Sequence, residues 1–280
     1  MSRLRPRRGA GLAEMIVALT LSSIVASAAV AALTGAERYM RRARATADAR
    51  RMLREAESVL ASELRAASAD SLRVRGDTAV DFAGLVGVSV VCVSSGSVLV
   101  LPPDAAASGY PYSSWRASPE AGDIVAVFDT TAGGGWRTAV VESAATRADG
   151  AGCRPASGLV SAADSAARRP VTRVVLDSPT MPQAVVGAPV RVQRSGRYAL
   201  TRAADGSWSL SYRRCTASMC GTAQPVVGPF AAPADSGLVF TSIVGEPRVD
   251  VAIRTLFTPA APVESGILRV ALRNRAAGAP

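Results

Sequence analysis

The sequence predicts an α+β protein in which a long N-terminal helix, half membrane-spanning and half amphipathic, packs on a β-rich head. Three observations carry this. Met15 to Ala36 contains no charged residue, residues 36–75 contain neither Gly nor Pro, and beyond Asp70 short apolar or alternating runs are separated by Gly, Pro, Ser and Asp. A chain of 280 residues is long enough for one substantial domain with an extension.

The uncharged run MIVALTLSSIVASAAVAALTGA is 22 residues long. As a helix it would extend about 33 Å, enough for a bilayer core of about 30 Å. Arg3, Arg5, Arg7 and Arg8 precede it. The positive-inside rule then places the N-terminus in the cytoplasm and everything beyond Ala36 across the membrane. Three plainer readings compete: a secretory signal cleaved among the Ala-rich residues, a simple anchor, and a twin-arginine signal at Arg7-Arg8.

The segment Arg7-Arg8-Gly9-Ala10-Gly11-Leu12-Ala13-Glu14-Met15-Ile16-Val17 resembles the processing site of type IV pilins and pseudopilins. Basic residues precede a Gly and the apolar run follows at once, with Leu12 at the third mature position and Glu14 at the fifth. That resemblance implies a leader of residues 1–9, cut between Gly9 and Ala10 by a prepilin peptidase, and N-methylation of Ala10. Ala10 stands where the family usually has Phe, Met or Leu. It also implies that the helix stays on the mature protein, spanning the bilayer over residues 10–36. During assembly Glu14 would meet the Ala10 amine of a neighbouring subunit. A carboxylate inside a membrane helix costs about 2.5–3.5 kcal/mol at the centre and less near an interface, so it is normally paired or functional. Alternatively, Glu14 simply favours the start of the helix, where the dipole welcomes negative charge.

Residues 37–68 read as the amphipathic half of the same helix, because Leu53, Ala56, Leu60, Leu64 and Ala67 recur every three or four positions among Arg and Glu. The head, residues 69–280, offers strand candidates at 86–93, 98–101, 123–128, 137–142, 171–176, 189–193, 197–201, 207–212, 237–242, 249–256 and 267–272. Asp205-Gly206 marks a hairpin between two of them. Residues 102–119 and 144–169 read as long small-residue loops, and Gly133-Gly134-Gly135-Trp136 as a hairpin turn. The order of APVRVQRSGRYALTRAADGSWSLSYRRC and QPVVGPFAAPADSGLVF is similar to the late part of PilW-like minor pilins and J-type pseudopilins. This implies a minor filament subunit whose partners are prepilin peptidase, other pilin or pseudopilin subunits, an inner-membrane assembly platform and the lipid bilayer.

Cys92, Cys153, Cys215 and Cys220 fall on the side of the membrane where disulfides persist. Three pairings are possible. Cys215 with Cys220 closes a short loop, leaving Cys92 with Cys153; buried free thiols or a zinc site are the alternatives. There is no His, which removes the commonest general base and metal ligand and any Ser-His-Asp or Cys-His arrangement. No catalytic residue, cofactor or metal is expected. Asp123, Asp129 and Glu142 read as solvated strand ends rather than a carboxylate or calcium site.

The net charge of +10 is carried by Arg alone. Arg168-Arg169 and Arg213-Arg214, with Tyr198, Trp208 and Tyr212, raise nucleic-acid binding, but strand alternation explains the aromatics equally well. Against the filament reading stands a membrane-anchored or secreted β-domain that binds a ligand in the manner of an adhesin.

Overall fold

In the computed structural model the described residues are 11–67, 69–104, 112–129, 134–147, 153–178, 184–216, 219–242, 248–258 and 262–272. The chain forms two units, Met1–Arg51 with Phe257–Glu264, and Met52–Leu256 with Ser265–Pro280. One helix, α1 (Leu12–Ala66, 55 residues), contributes to both. Within the first unit its apolar run is wholly exposed, and Arg50 Nε donates to Glu264 Oε1 at 3.1 Å.

The second unit runs through β1 (Arg73–Arg75), β2 (Ala79–Val90), β3 (Val93–Ser95), β4 (Val98–Leu101), β5 (Ser114–Trp115), β6 (Ile124–Asp129) and β7 (Gly135–Arg147). After the short helix α2 (Ala162–Ala166) come β8 (Val171–Leu176), β9 (Pro189–Arg202), β10 (Trp208–Arg214), β11 (Gln224–Phe230), β12 (Leu238–Ser242), β13 (Arg248–Arg254) and β14 (Ser265–Ala271). Eleven strands form one antiparallel sheet, ordered β1-β2-β9-β6-β7-β8-β4-β3, with β10 joined to β9, β11 to β10 and β5 to β2. Strands β12, β13 and β14 form a second sheet.

The long strand β9 divides this architecture. β2 pairs along one of its edges, while the other edge is shared, residues 190–193 bonding to β6 and residues 196–202 to β10. Two cores result. In the first, the α1 stripe Leu53, Ala56, Leu60 and Leu64, with Ala67 just beyond the helix, is buried against Phe82, Tyr198 and Leu210 and against Phe240 and Val251 of the second sheet. In the second, Val125, Val127, Val190 and Val192 meet Leu99, Leu101, Val174 and Leu176. The stripe lies on the helix face read from the sequence, and burial of apolar area explains its order, at about 25 cal/mol per Å².

Where strands differ from the expected ones, small residues and prolines are the reason. The strand expected at 86–93 begins and ends earlier: β2 runs through Gly84 and Gly87 to Val90, and at Gly87, where a Cβ would collide with the Trp115 ring, the missing side chain makes room for β5. Gly196 likewise lies under the Tyr212 ring, so the separate strands expected at 189–193 and 197–201 are one. Pro225 and Pro229 hid β11, which pairs with β10 on one side and makes a single bridge, Phe230 to Thr255, on the other, and so tolerates missing N–H donors. The expected loop 102–119 contains β5, and the expected loop 144–169 holds the end of β7 and α2, whose Ser161–Asp164 capping box is formed. The Asp-Gly hairpin lies where expected, with Trp208 opposite Arg202, Gly206 at φ 84° and Asp205 Oδ1 accepting the Ser207 N–H at 2.9 Å.

Candidate functional site

The expected cleavage residues Gly9 and Ala10 lie outside the described residues. α1 begins immediately afterwards, with Gly11 before its first turn and Leu12 exposed as its first residue. Glu14 is three residues past Gly11, and its Oε2 accepts the Gly11 N–H at 3.3 Å. This is the carboxylate half of a capping box, which satisfies a backbone donor that the first turn otherwise leaves without a partner. The carboxylate thus sits at the helix start, with one of its oxygens engaged.

Leu12 to Ala36 presents Met15, Leu19, Ile24, Val30 and Leu33 to the outside, and the most apolar window has a mean hydropathy of 2.3. Four of its five hydroxyls are satisfied within the helix. Thr20 donates to the Val17 carbonyl at 2.9 Å, Ser23 to Thr20 at 2.8 Å, Ser27 to Ser23 at 2.7 Å and Thr34 to Ala31 at 3.0 Å. Hydroxyls satisfied by the helix's own carbonyls can face hydrocarbon without seeking water. The run ends at Glu37 and Arg41, which form an exposed i,i+4 ion pair at 3.1 Å. α1 is therefore long and apolar enough to cross a membrane once.

In the head, Cys92 is bonded to Cys153 and Cys215 to Cys220. All four are disulfide-bonded, as befits an oxidising compartment, so neither free thiols nor a thiolate metal site is formed. The first bridge anchors the segment after β7 beside Val100, Val160 and Val171; the second closes the turn after β10, where Cys215 and Cys220 form a bridge pair.

Asp123 corrects the sequence reading. It is fully buried rather than solvated, and accepts hydrogen bonds from Arg194 Nε and Nη2 at 2.8 and 2.9 Å, from Arg214 Nη2 at 3.3 Å and from the Glu120 N–H at 2.8 Å. Arg214 also pairs with Glu120. The hydrogen bonds that Arg194 donates to Asp123 outweigh burial and hold the Arg194 pKa above its ordinary value. Asp129 pairs with Arg137 at 2.7 Å, and Glu142 is exposed. Among the described residues no group of acidic or Cys side chains has the makings of a metal site.

The residues that raised nucleic-acid binding are dispersed. Tyr198 is buried and stacks on Phe82 with centroids 5.4 Å apart, and Tyr212 packs against both rings. Burial raises the pKa of Tyr198, and Glu63 adds to the effect. Arg214 is bound to Glu120 and Asp123, and Arg169 faces Asp164 at 3.4 Å. No aromatic platform beside free arginines is formed by these residues.

Sequence reasoning missed the buried centre at Asp123 and a second arginine cluster around Asp81. Their partners are 71 and 116 positions away in the chain, at Arg194 and Arg197, and only the pairing of β9 with β6 on one side and β2 on the other brings these residues together. Comparison with protein-family models, curated proteins and solved structures finds no match.

Proposed function

We propose that the chain is a minor pilin or pseudopilin, a structural subunit of a type IV pilus or type II secretion filament rather than an enzyme. It is stored in the bacterial inner membrane with its head in the periplasm, and it is assembled after leader removal. The observation that carries this reading is the continuity of α1. The bilayer-length run of residues 15–36 and the stripe Leu53–Ala67 in the head core follow one another with no helix break between Leu12 and Ala66. A secretory signal cleaved among its Ala residues would cut this helix in its middle, whereas cleavage after Gly9 leaves it whole.

The chemistry at the start of α1 fits the same role. Glu14, the only charge between Ala10 and Ala36, comes four positions in the sequence after Ala10, the residue whose amine cleavage would expose. A carboxylate beside hydrocarbon gains from a cation supplied by a neighbouring subunit. Prepilin peptidase, the assembly platform and other filament subunits are the partners this mechanism requires.

N-terminal mass spectrometry of membrane-extracted protein, made with and without prepilin peptidase and as Gly9→Ala, tests the proposal. Peptidase-dependent methylated Ala10, absent from Gly9→Ala, is the expected result. An intact Arg-rich terminus would mean a plain anchor, and a terminus beyond Ala26 a secreted domain; either sinks the reading.

A further inference from the structure

The sheet face turned away from α1 carries a row of charge. Arg73 on β1 lies opposite Asp81 on β2, Asp81 opposite Arg197 on β9, and Arg197 opposite Arg213 on β10. Arg75 reaches the same carboxylate diagonally. Asp81 accepts from Arg197 Nε at 2.5 Å, Arg197 Nη2 at 2.9 Å and Arg75 Nε at 3.0 Å. Its capacity is thus committed to Arg197 and Arg75.

Arg213 is left over. Half-buried beside Arg197, it has no carboxylate partner among the described residues, and like charges directly opposite on paired strands destabilise a sheet. The pair borders a groove of about 570 Å³ lined also by Arg75, Ser195, Thr216 and Met219, where Asp81 is the one acidic residue among the described residues. Met219 is 72% exposed at its edge.

We propose that this groove binds an acidic polypeptide segment of a protein partner, whose carboxylate takes beside Arg213 the place that Asp81 takes beside Arg197. Guanidinium forks match carboxylates bidentately, so an incoming Asp or Glu relieves the repulsion and gains charge-assisted hydrogen bonds. The groove holds more than a single oxyanion, and exposed Met219 offers an apolar contact to the neighbouring chain. The groove's one aromatic neighbour among the described residues, Phe82, is buried in the core on the α1 side with Tyr198, Trp208 and Tyr212, and so offers bases no stacking platform. Every lining residue belongs to the second unit, so binding does not depend on how the start of α1 is processed.

The test uses the full chain in neutral detergent with both disulfides intact, and a short fluorescein-labelled oligoglutamate peptide read by anisotropy at low salt. Saturable binding, absent with the matching oligoglutamine and weakened by salt, is expected. Arg213→Gln should weaken it about tenfold, the worth of one contact of about 1.4 kcal/mol, without lowering the melting temperature. Arg168→Gln, distant in sequence and outside the groove, should bind as the parent does. The proposal is overturned by equal binding of the two peptides, by no saturable binding, or by an Arg213→Gln variant that binds normally. Tighter binding of inorganic phosphate than of the peptide also overturns it, assigning the groove to a free oxyanion.

Discussion

At the scale of single residues, the ion pairs of the head differ in worth because they differ in burial. Asp123 has no exposed surface and three kinds of donor converge on it. Removing one member of a buried pair costs about 3–5 kcal/mol, because the other charge is left uncompensated. Arg194 retains 20% side-chain exposure, so water screens part of that loss and the lower end applies. Asp123→Ala should therefore lower unfolding stability by about 3 kcal/mol in urea titrations, with Arg116→Ala at the more exposed Glu63 pair costing under about 1 kcal/mol. Equal losses would show that burial is not the source. Asp81 contributes to the acid response. Partial burial alone would raise its pKa, but hydrogen bonds from Arg197 and Arg75, reinforced by their charges, leave it below the ordinary carboxylate value. A depressed folded pKa gives stability that is fully present above the unfolded value, about 3.9, and is lost as pH falls through the folded value. Asp81→Asn should then lose stability at neutral pH and show a shallower decline below about pH 4 than the parent chain. Parallel acid-denaturation curves would refute that assignment.

At the scale of elements, stability divides between local staples and long-range ones. Chain-entropy arguments credit a disulfide according to the loop it closes; the Cys92–Cys153 bridge spans 61 positions and Cys215–Cys220 spans 5. Replacing each pair by Ser should cost about 4 and about 2 kcal/mol respectively. Urea titrations of the two double variants check the order, and a reversed order would place the stabilisation in native contacts instead of the denatured chain. The same contrast between local and long-range information decides what could be read from sequence. α1 was legible to its last turn, because spacing of three and four places Leu53, Ala56, Leu60, Leu64 and Ala67 on one face whatever they pack against. The Asp205-Gly206 hairpin was legible because a two-strand turn is a local event. β9 was not, since whether Gly196 breaks or continues a strand depends on Tyr212, which lies on another strand. The Asp123 centre was hidden for the same reason: its counter-charges come from β9 and β10, and strand pairing is not written in the spacing of any one segment.

For the molecule as a whole, the filament reading makes Glu14 the residue through which membrane storage and assembly are linked. On that reading its carboxylate in storage has, among the described residues, the Gly11 N–H as its partner, at the very start of a span otherwise free of charge. Glu14→Gln removes the charge but keeps a side chain of the same length that can still accept from Gly11. Membrane insertion should therefore be unchanged, as should cleavage after Gly9, which depends on residues before the helix. Incorporation into filaments should fall at least about tenfold, since a neutral amide forgoes a charge-assisted contact worth about 1.5–3 kcal/mol where water is scarce. Quantifying the chain in sheared filaments and in membranes separates the two steps. Normal membrane levels with depleted filaments are expected. Normal levels in both would reduce Glu14 to a helix cap, and loss from the membrane would make it a determinant of insertion.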